Sequence, residues 1–166
     1  KFINFFKKKK FKKLPHLTIN IETKTGYENF NEIIKICRGT INNITIGRSD
    51  LSKSFFNGDI HPDSKHIENI IIDVAKKSKK YKITTTVGGS LSLNTIREYL
   101  HAKQLINCIA KLESRKIILP AKNFLRKNSL QEALKFEKLY ILYKNEISNF
   151  KSESENDRLS ILNTRL

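Results

Sequence analysis

The stretch Leu17-Thr18-Ile19-Asn20-Ile21-Glu22-Thr23, answered further on by Ile41-Asn42-Asn43-Ile44-Thr45-Ile46-Gly47-Arg48-Ser49-Asp50-Leu51, decides the fold. Each opens by alternating apolar and polar residues, as a strand does. Between them Phe30, Ile33, Ile34 and Cys37 recur at i, i+3, i+4 and i+7, one apolar face of a helix. Asn29 can cap that helix with Glu32 as its capping-box partner, and Gly39 supplies a stop. Strand, helix and strand with short connections imply parallel strands joined by right-handed crossovers.

The unit repeats outward from there. A loop through Gly58 and Pro62 leads to a helix with Ile67, Ile70, Ile71, Val74 and Ala75 on one face. Its lysines Lys76, Lys77, Lys79 and Lys80 gather at the C-terminal end, where the helix dipole favours cations. A third strand over 82–87 runs into Gly88-Gly89, and a short helix opens near Asn94, with Thr95 to Glu98 as a capping signal. A fourth strand is expected over 105–110 and a further β-prone run over 116–119. Ser129-Leu130-Gln131-Glu132 matches a capping box and opens a helix to about Ile147, with Leu130, Ala133, Leu134 and Ile141 as its apolar stripe. The polar run 151–157 reads as a loop, and Leu159, Ile161 and Leu162 as a short final helix. The expected organisation is a basic leader over 1–16, βα units over 17–128, and a C-terminal helical segment of the same domain over 129–166. Order alone does not separate an open sheet from a closed barrel. About four units, against the eight of a full barrel in roughly 250 residues, fit the C-terminal half of a (β/α)8 barrel.

Composition narrows the class. The 166 residues suffice for one domain with a sizeable core, and no apolar run is long enough to span a membrane. In the leader KFINFFKKKKFKKLP the charges follow a short apolar patch, the reverse of a secretory signal. Cys37 and Cys108 stand apart without metal-type spacing, as expected of buried thiols in a reducing cytoplasm. The chain begins at Lys1 and contains no methionine, which leads us to expect a further piece upstream. A net charge of +16, from 32 basic and 16 acidic residues, points to a polyanion partner or to coding bias, since Lys, Ile and Asn share A/T-rich codons. The run from Lys7 to Lys13, with Phe11 inside it, reads as a nucleic-acid or anionic-membrane patch or as a solvated basic helix.

Chemistry in parallel α/β folds collects where strands end and βα loops converge. Glu22 ends the first strand and Asp50 follows the second, so adjacent parallel strands would bring both carboxylates to one rim. Two hard oxygen ligands suit Mg2+ or Mn2+ rather than zinc. The plainer alternative is that each caps a helix or pairs with a lysine. Gly88-Gly89 fits an anion-binding loop or a tight turn. Arg115 could reach the rim or pair with Glu113 or Glu132. His16, His61, His66 and His101 lack ligand spacing, and no Gly-x-Ser-x-Gly elbow suggests a nucleophilic triad.

The segments LTINIETKTGYENFNEII and NITIGRSDLSKSF together resemble the metal-binding core of the HpcH/HpaI aldolase/citrate lyase family. The later pieces Val87-Gly88-Gly89, Leu112-Glu113-Ser114-Arg115-Lys116 and Glu132-Ala133-Leu134-Lys135-Phe136-Glu137 extend the similarity over about Leu17 to Leu166. The resemblance implies a pyruvate- or phosphoenolpyruvate-type barrel. It places the metal ligands at Glu22, from an I-E-T/S motif, and Asp50, from a G-x-x-D-L motif. Asn20, Arg48, Ser49 and Asp50 are then expected to contact the substrate, with the backbone N–H groups of Ser49 and Asp50 on its carboxylate. Two departures stand out. Many family aldolases carry glutamine where this chain has the shorter amide Asn20. The family's carbonyl-polarising arginine and its acid/base group lie on earlier strands, and nothing before Leu17 resembles those.

The activity implied is a metal-dependent carbon–carbon lyase, with Mg2+ or Mn2+ stabilising the enolate of a 2-oxo acid or acyl thioester. Both carboxylates must be ionised, so activity should fall in acid. Two other readings stand beside it: an inactive half-barrel remnant, and a basic nucleic-acid-binding domain, which no RNA- or DNA-binding motif supports. A homo-oligomer assembled through the C-terminal helices is expected, with no membrane partner.

Overall fold

The computed structural model describes residues 15–55, 60–147 and 153–165. Strands β1 (Thr18–Ile21), β2 (Asn43–Gly47), β3 (Thr84–Gly88) and β4 (Lys111–Glu113) run parallel in chain order, and β5 (Ile118–Pro120) adds antiparallel to β4. The molecule is therefore a mixed α/β fold on a mostly parallel sheet. Strand order never reverses, so right-handed crossovers put the connecting helices on one face. Ile21, Ile44, Ile46, Val87 and Leu112 are buried in the core. The residues alternating with them are polar or glycine, among them Asn20, Glu22, Thr45, Gly47, Thr86, Gly88 and Glu113. Within this set Asn43 Oδ1 accepts from the Thr84 and Thr86 hydroxyls at 2.8 and 3.1 Å, tying β2 to β3 through side chains.

The first three strands lie within two residues of their expected positions, but the fourth does not. Residues 103–106 form a helical turn, and the strand comes later, at Lys111–Glu113. Leu105 and Ile109 are both buried at a spacing of four, so their apolarity serves a helical turn rather than a strand. The reversal into β5 is a tight one in which Ser114 N donates to Ile117 O at 2.8 Å and Ser114 Oγ accepts from Ile117 N at 3.2 Å. So short a link cannot make a parallel crossover, which is why β5 turns back.

The helices are α1 (Lys24–Glu28), α2 (Phe30–Cys37), α3 (Arg48–Lys53), α4 (Lys65–Lys79), α5 (Leu93–His101), α6 (Lys103–Ile106), α7 (Ala121–Phe124), α8 (Ser129–Ile147) and α9 (Glu153–Arg165). In α4 the expected face, Ile67, Ile70, Ile71, Val74 and Ala75, is buried throughout. β-Branched residues cost up to about 0.7 kcal/mol each in helix propensity, whereas burying one contributes roughly 1.5–3 kcal/mol, so packing decides this helix. Ser64 caps it by accepting from Ile67 N.

Three expected caps differ. Asn29 does precede α2, but its Nδ2 donates back to Thr25 O at 2.9 Å, because α1 runs directly into α2. Ser92, not Thr95, caps α5, and Thr95 is its reciprocal partner. Ser129 Oγ donates to Asn123 O at 2.9 Å instead of capping α8. The C-terminal helix is also longer than expected. Residues 153–157, read as loop, belong to α9, where Lys144 Nζ donates to Glu155 Oε1 at 2.6 Å and Leu162 is fully buried. Most of the basic leader (1–14), Gly58 and the start of the 151–157 run lie outside the described residues. Among the described residues no helix is long and apolar enough to cross a membrane. Cys37 is buried, Cys108 only partly, and neither forms a disulfide.

Candidate functional site

The register of the sheet brings one rung of residues to its C-terminal edge. Gly47 pairs with Gly88 and Gly88 with Glu113, while Glu22 follows the last β1 pair, Ile21 with Ile46. The rung therefore reads Glu22, Gly47, Gly88, Glu113. Both glycines leave room for the glutamate side chains beside them. A Cβ on Gly47 would sit 2.8 Å from Glu22 Cγ, and one on Gly88 would sit 3.2 Å from Glu113 Cβ. The two glutamate side chains thus lie over the glycines between them. Burial raises the Glu113 carboxyl above the usual carboxylate range, and the charge of Glu22 raises it further. Asn20 Nδ2 donates to Glu22 Oε1 at 3.0 Å, fixing one carboxylate oxygen and leaving the other for a ligand.

Asp50 and Ser49 reach the same cleft from α3, the helical turn that starts directly after β2. Gly47 has no side chain to cap this turn, so its first N–H groups have no cap from the preceding residue. Gly89 closes against them with φ +86°, and a Cβ there would lie 2.8 Å from Ser49 N. Ser49 Oγ and Ser90 Oγ share a hydrogen bond of 2.6 Å across the gap. The cleft encloses about 400 Å3 and is lined by Asn20, Glu22, Thr45, Ser49, Asp50, Ser90, Glu113, Arg115, Arg158 and Arg165, with glycines 47, 88 and 89 in its floor.

Arg48, expected to contact substrate, is placed beneath the cleft rather than in it. Its side chain is fully buried, with Nε and Nη2 donating to Gly89 O at 3.1 and 2.6 Å and Nη1 to Asp63 Oδ1. Thr95 Oγ1 donates to the same Asp63 oxygen at 2.9 Å, and the guanidinium carbon lies 5.7 Å from the Tyr99 ring centroid. Burial pushes the Tyr99 phenol up, against the opposing pull of Arg48. Arg48 therefore shapes the floor: it clamps the 89–90 turn and the loop before α4 to the start of α3.

The structure thus brings Asn20, Glu22, Ser49 and Asp50 together and turns Arg48 away. Sequence reasoning missed three residues of the cleft. Glu113 was overlooked because its strand was expected too early, which hid the rung it shares with Glu22. Arg158 and Arg165 come from α9, and only its docking brings them near. Arg115 pairs with neither Glu113 nor Glu132, which instead binds Lys135 at 3.0 Å. None of the four histidines lines the cleft. Among the described residues no three His, Cys, Asp or Glu side chains converge as a ready metal cluster. No family model and no curated protein matches the chain.

Proposed function

We propose that the chain is part of a metal-dependent carbon–carbon lyase of the aldolase/citrate lyase type, built on the C-terminal half of a (β/α)8 barrel. The observation that carries this reading is that Glu22 and Asp50 share one cleft at the C-terminal ends of parallel strands, beside Glu113. A half-barrel agrees with the four parallel strands β1 to β4 in unreversed order.

The residues present fit a hard divalent cation such as Mg2+ or Mn2+. All the donors are oxygens, and Glu113 already feels the charge of Glu22, crowding that a cation between them would relieve. With only two carboxylates assigned as ligands, the remaining positions belong to water and substrate. When bound, the ion supplies Lewis-acid stabilisation of the charge that develops on the oxygen of a 2-oxo acid or acyl thioester. The chain's own residues do the rest. Asn20 orients Glu22, Asp50 supplies the second carboxylate, and the backbone N–H groups at Ser49 and Asp50, in a turn without a side-chain cap, would hold a substrate carboxylate.

The test is a calorimetric titration of the chain with Mn2+, with and without pyruvate. Wild type should bind Mn2+, and pyruvate should tighten that binding, since two ligands sharing an ion promote each other. Glu22→Gln and Asp50→Asn should each weaken Mn2+ by more than the roughly 10–100-fold that even an outer-shell change costs. Binding that neither substitution alters would sink the assignment and favour an inactive remnant.

A further inference from the structure

Three arginines line the cleft, and they differ in what they already hold. Arg158 is committed: its Nε and Nη2 donate to the two oxygens of Glu137 at 2.7 and 2.8 Å, and Glu137 is wholly buried in α8. Arg165, on the last turn of α9, makes no hydrogen bond or ion pair with any described residue. Burial disfavours its charge first, then the neighbouring Arg158, and the more weakly felt charge of Glu137 offsets them only in part. It is not free to swing away, because Leu162 and the Arg158–Glu137 pair pin the same helix. Arg115, exposed beside Glu113, is likewise without a partner among the described residues.

An arginine cannot shed its proton to relieve this, so a confined guanidinium with no partner among the described residues calls for an anion. We propose that Arg165 and Arg115 form an anion-binding subsite of the cleft, taking a carboxylate or a phosphate group. The guanidinium fork matches either group with two parallel N–H donors. Ser49 and Ser90 add a donor, since one hydroxyl proton is left over once the two oxygens share a hydrogen bond. The subsite shares the cleft with Glu22 and Asp50 but does not depend on a metal there. α9 thereby becomes part of the binding site and not merely a terminal support.

The test uses the full chain in chelator, titrated with inorganic phosphate and with acetate against chloride at matched ionic strength. Wild type should bind at least one of the two anions. Arg165→Gln and Arg115→Gln should each weaken it on the order of tenfold or more, the loss expected for a charge-assisted hydrogen bond. Arg97→Gln, on exposed α5 surface away from the cleft, should not, which separates a site from general attraction to a basic protein. Tighter phosphate than acetate assigns the subsite to phosphoryl groups, and the reverse assigns it to carboxylates. Failure of both anions to bind, or equal binding by Arg165→Gln and wild type, overturns the proposal. Because chelator removes divalent ions, this result and the Mn2+ titration can fail independently.

Discussion

Glu113 shows how one side chain reports on the whole rung. Its neutral form is favoured in the folded protein, first by burial and then by Glu22, so the folded chain holds the proton more tightly than the unfolded one. The sign follows from linkage. Glu113 carries no penalty below its unfolded value, and stability is lost as pH rises through its raised folded value. In chelator, Glu113→Gln should therefore gain stability over the parent at neutral pH and none in acid, read as the difference in urea midpoints. A difference that stays constant across pH would show that the rung does not couple the two glutamates. Arg48 illustrates the opposite case, a charge taken wholly out of water. It is tolerated because each nitrogen finds an acceptor, two of them bonding to the carbonyl of Gly89. Gly89 can turn that carbonyl downward only because its positive φ costs glycine little.

At the scale of elements, α9 is tied to α8 by the Arg158–Glu137 and Lys144–Glu155 pairs, of which the first is the more buried. Removing Arg158 would leave Glu137 charged and unpaired inside the protein, at a cost of roughly 3–5 kcal/mol. The helix is terminal, so the expected response is local release rather than global unfolding. Hydrogen exchange on Arg158→Gln should show residues 153–165 losing protection while β1 to β3 keep theirs, and unchanged exchange would mean that Leu162 suffices. Glu137→Leu with Arg158→Leu should restore docking, because an apolar pair can replace a buried ion pair. This helix also marks where reading the chain by pattern stops. The strands β1 and β2 were legible because one side of each is the more buried, so Ile19-Asn20-Ile21 and Ile44-Thr45-Ile46 alternate, whereas β3 is buried on both sides. Glu22 and Asp50 were legible because they follow closely on the ends of such strands. Leu105 and Ile109 misled because short apolar runs suit a turn of helix as well as a strand. The polar start of α9 misled because its order comes from Glu155 and Arg158 meeting α8, a tertiary fact no local pattern encodes. Arg165 could not be foreseen for the same reason.

Over the whole molecule, two surfaces remain unfinished among the described residues. β1 pairs with β2 on one side only, leaving an open parallel edge of the kind that recruits further strands. The second surface is α8, which is apolar on two faces. Leu130, Ala133, Leu134 and Ile141 are buried inward, while Phe136, Leu139, Tyr143 and Ile147 are 49, 65, 63 and 69% exposed on the other side. Their spacing of i, i+3, i+7 and i+11 makes a continuous stripe, and a monomer gains nothing from holding such a stripe in water. A second copy of the same helix would cover it, in keeping with the expected assembly through C-terminal helices. Light scattering should then show a mass that rises with concentration for the parent. Leu139→Lys with Tyr143→Lys should hold the mass at one chain, since neither residue belongs to the buried face and the fold should survive. A parent that stays single over the same concentrations would leave α8 without a copy to meet. A doubly substituted chain that still associates would move the contact to the β1 edge, where backbone rather than side chains would carry it.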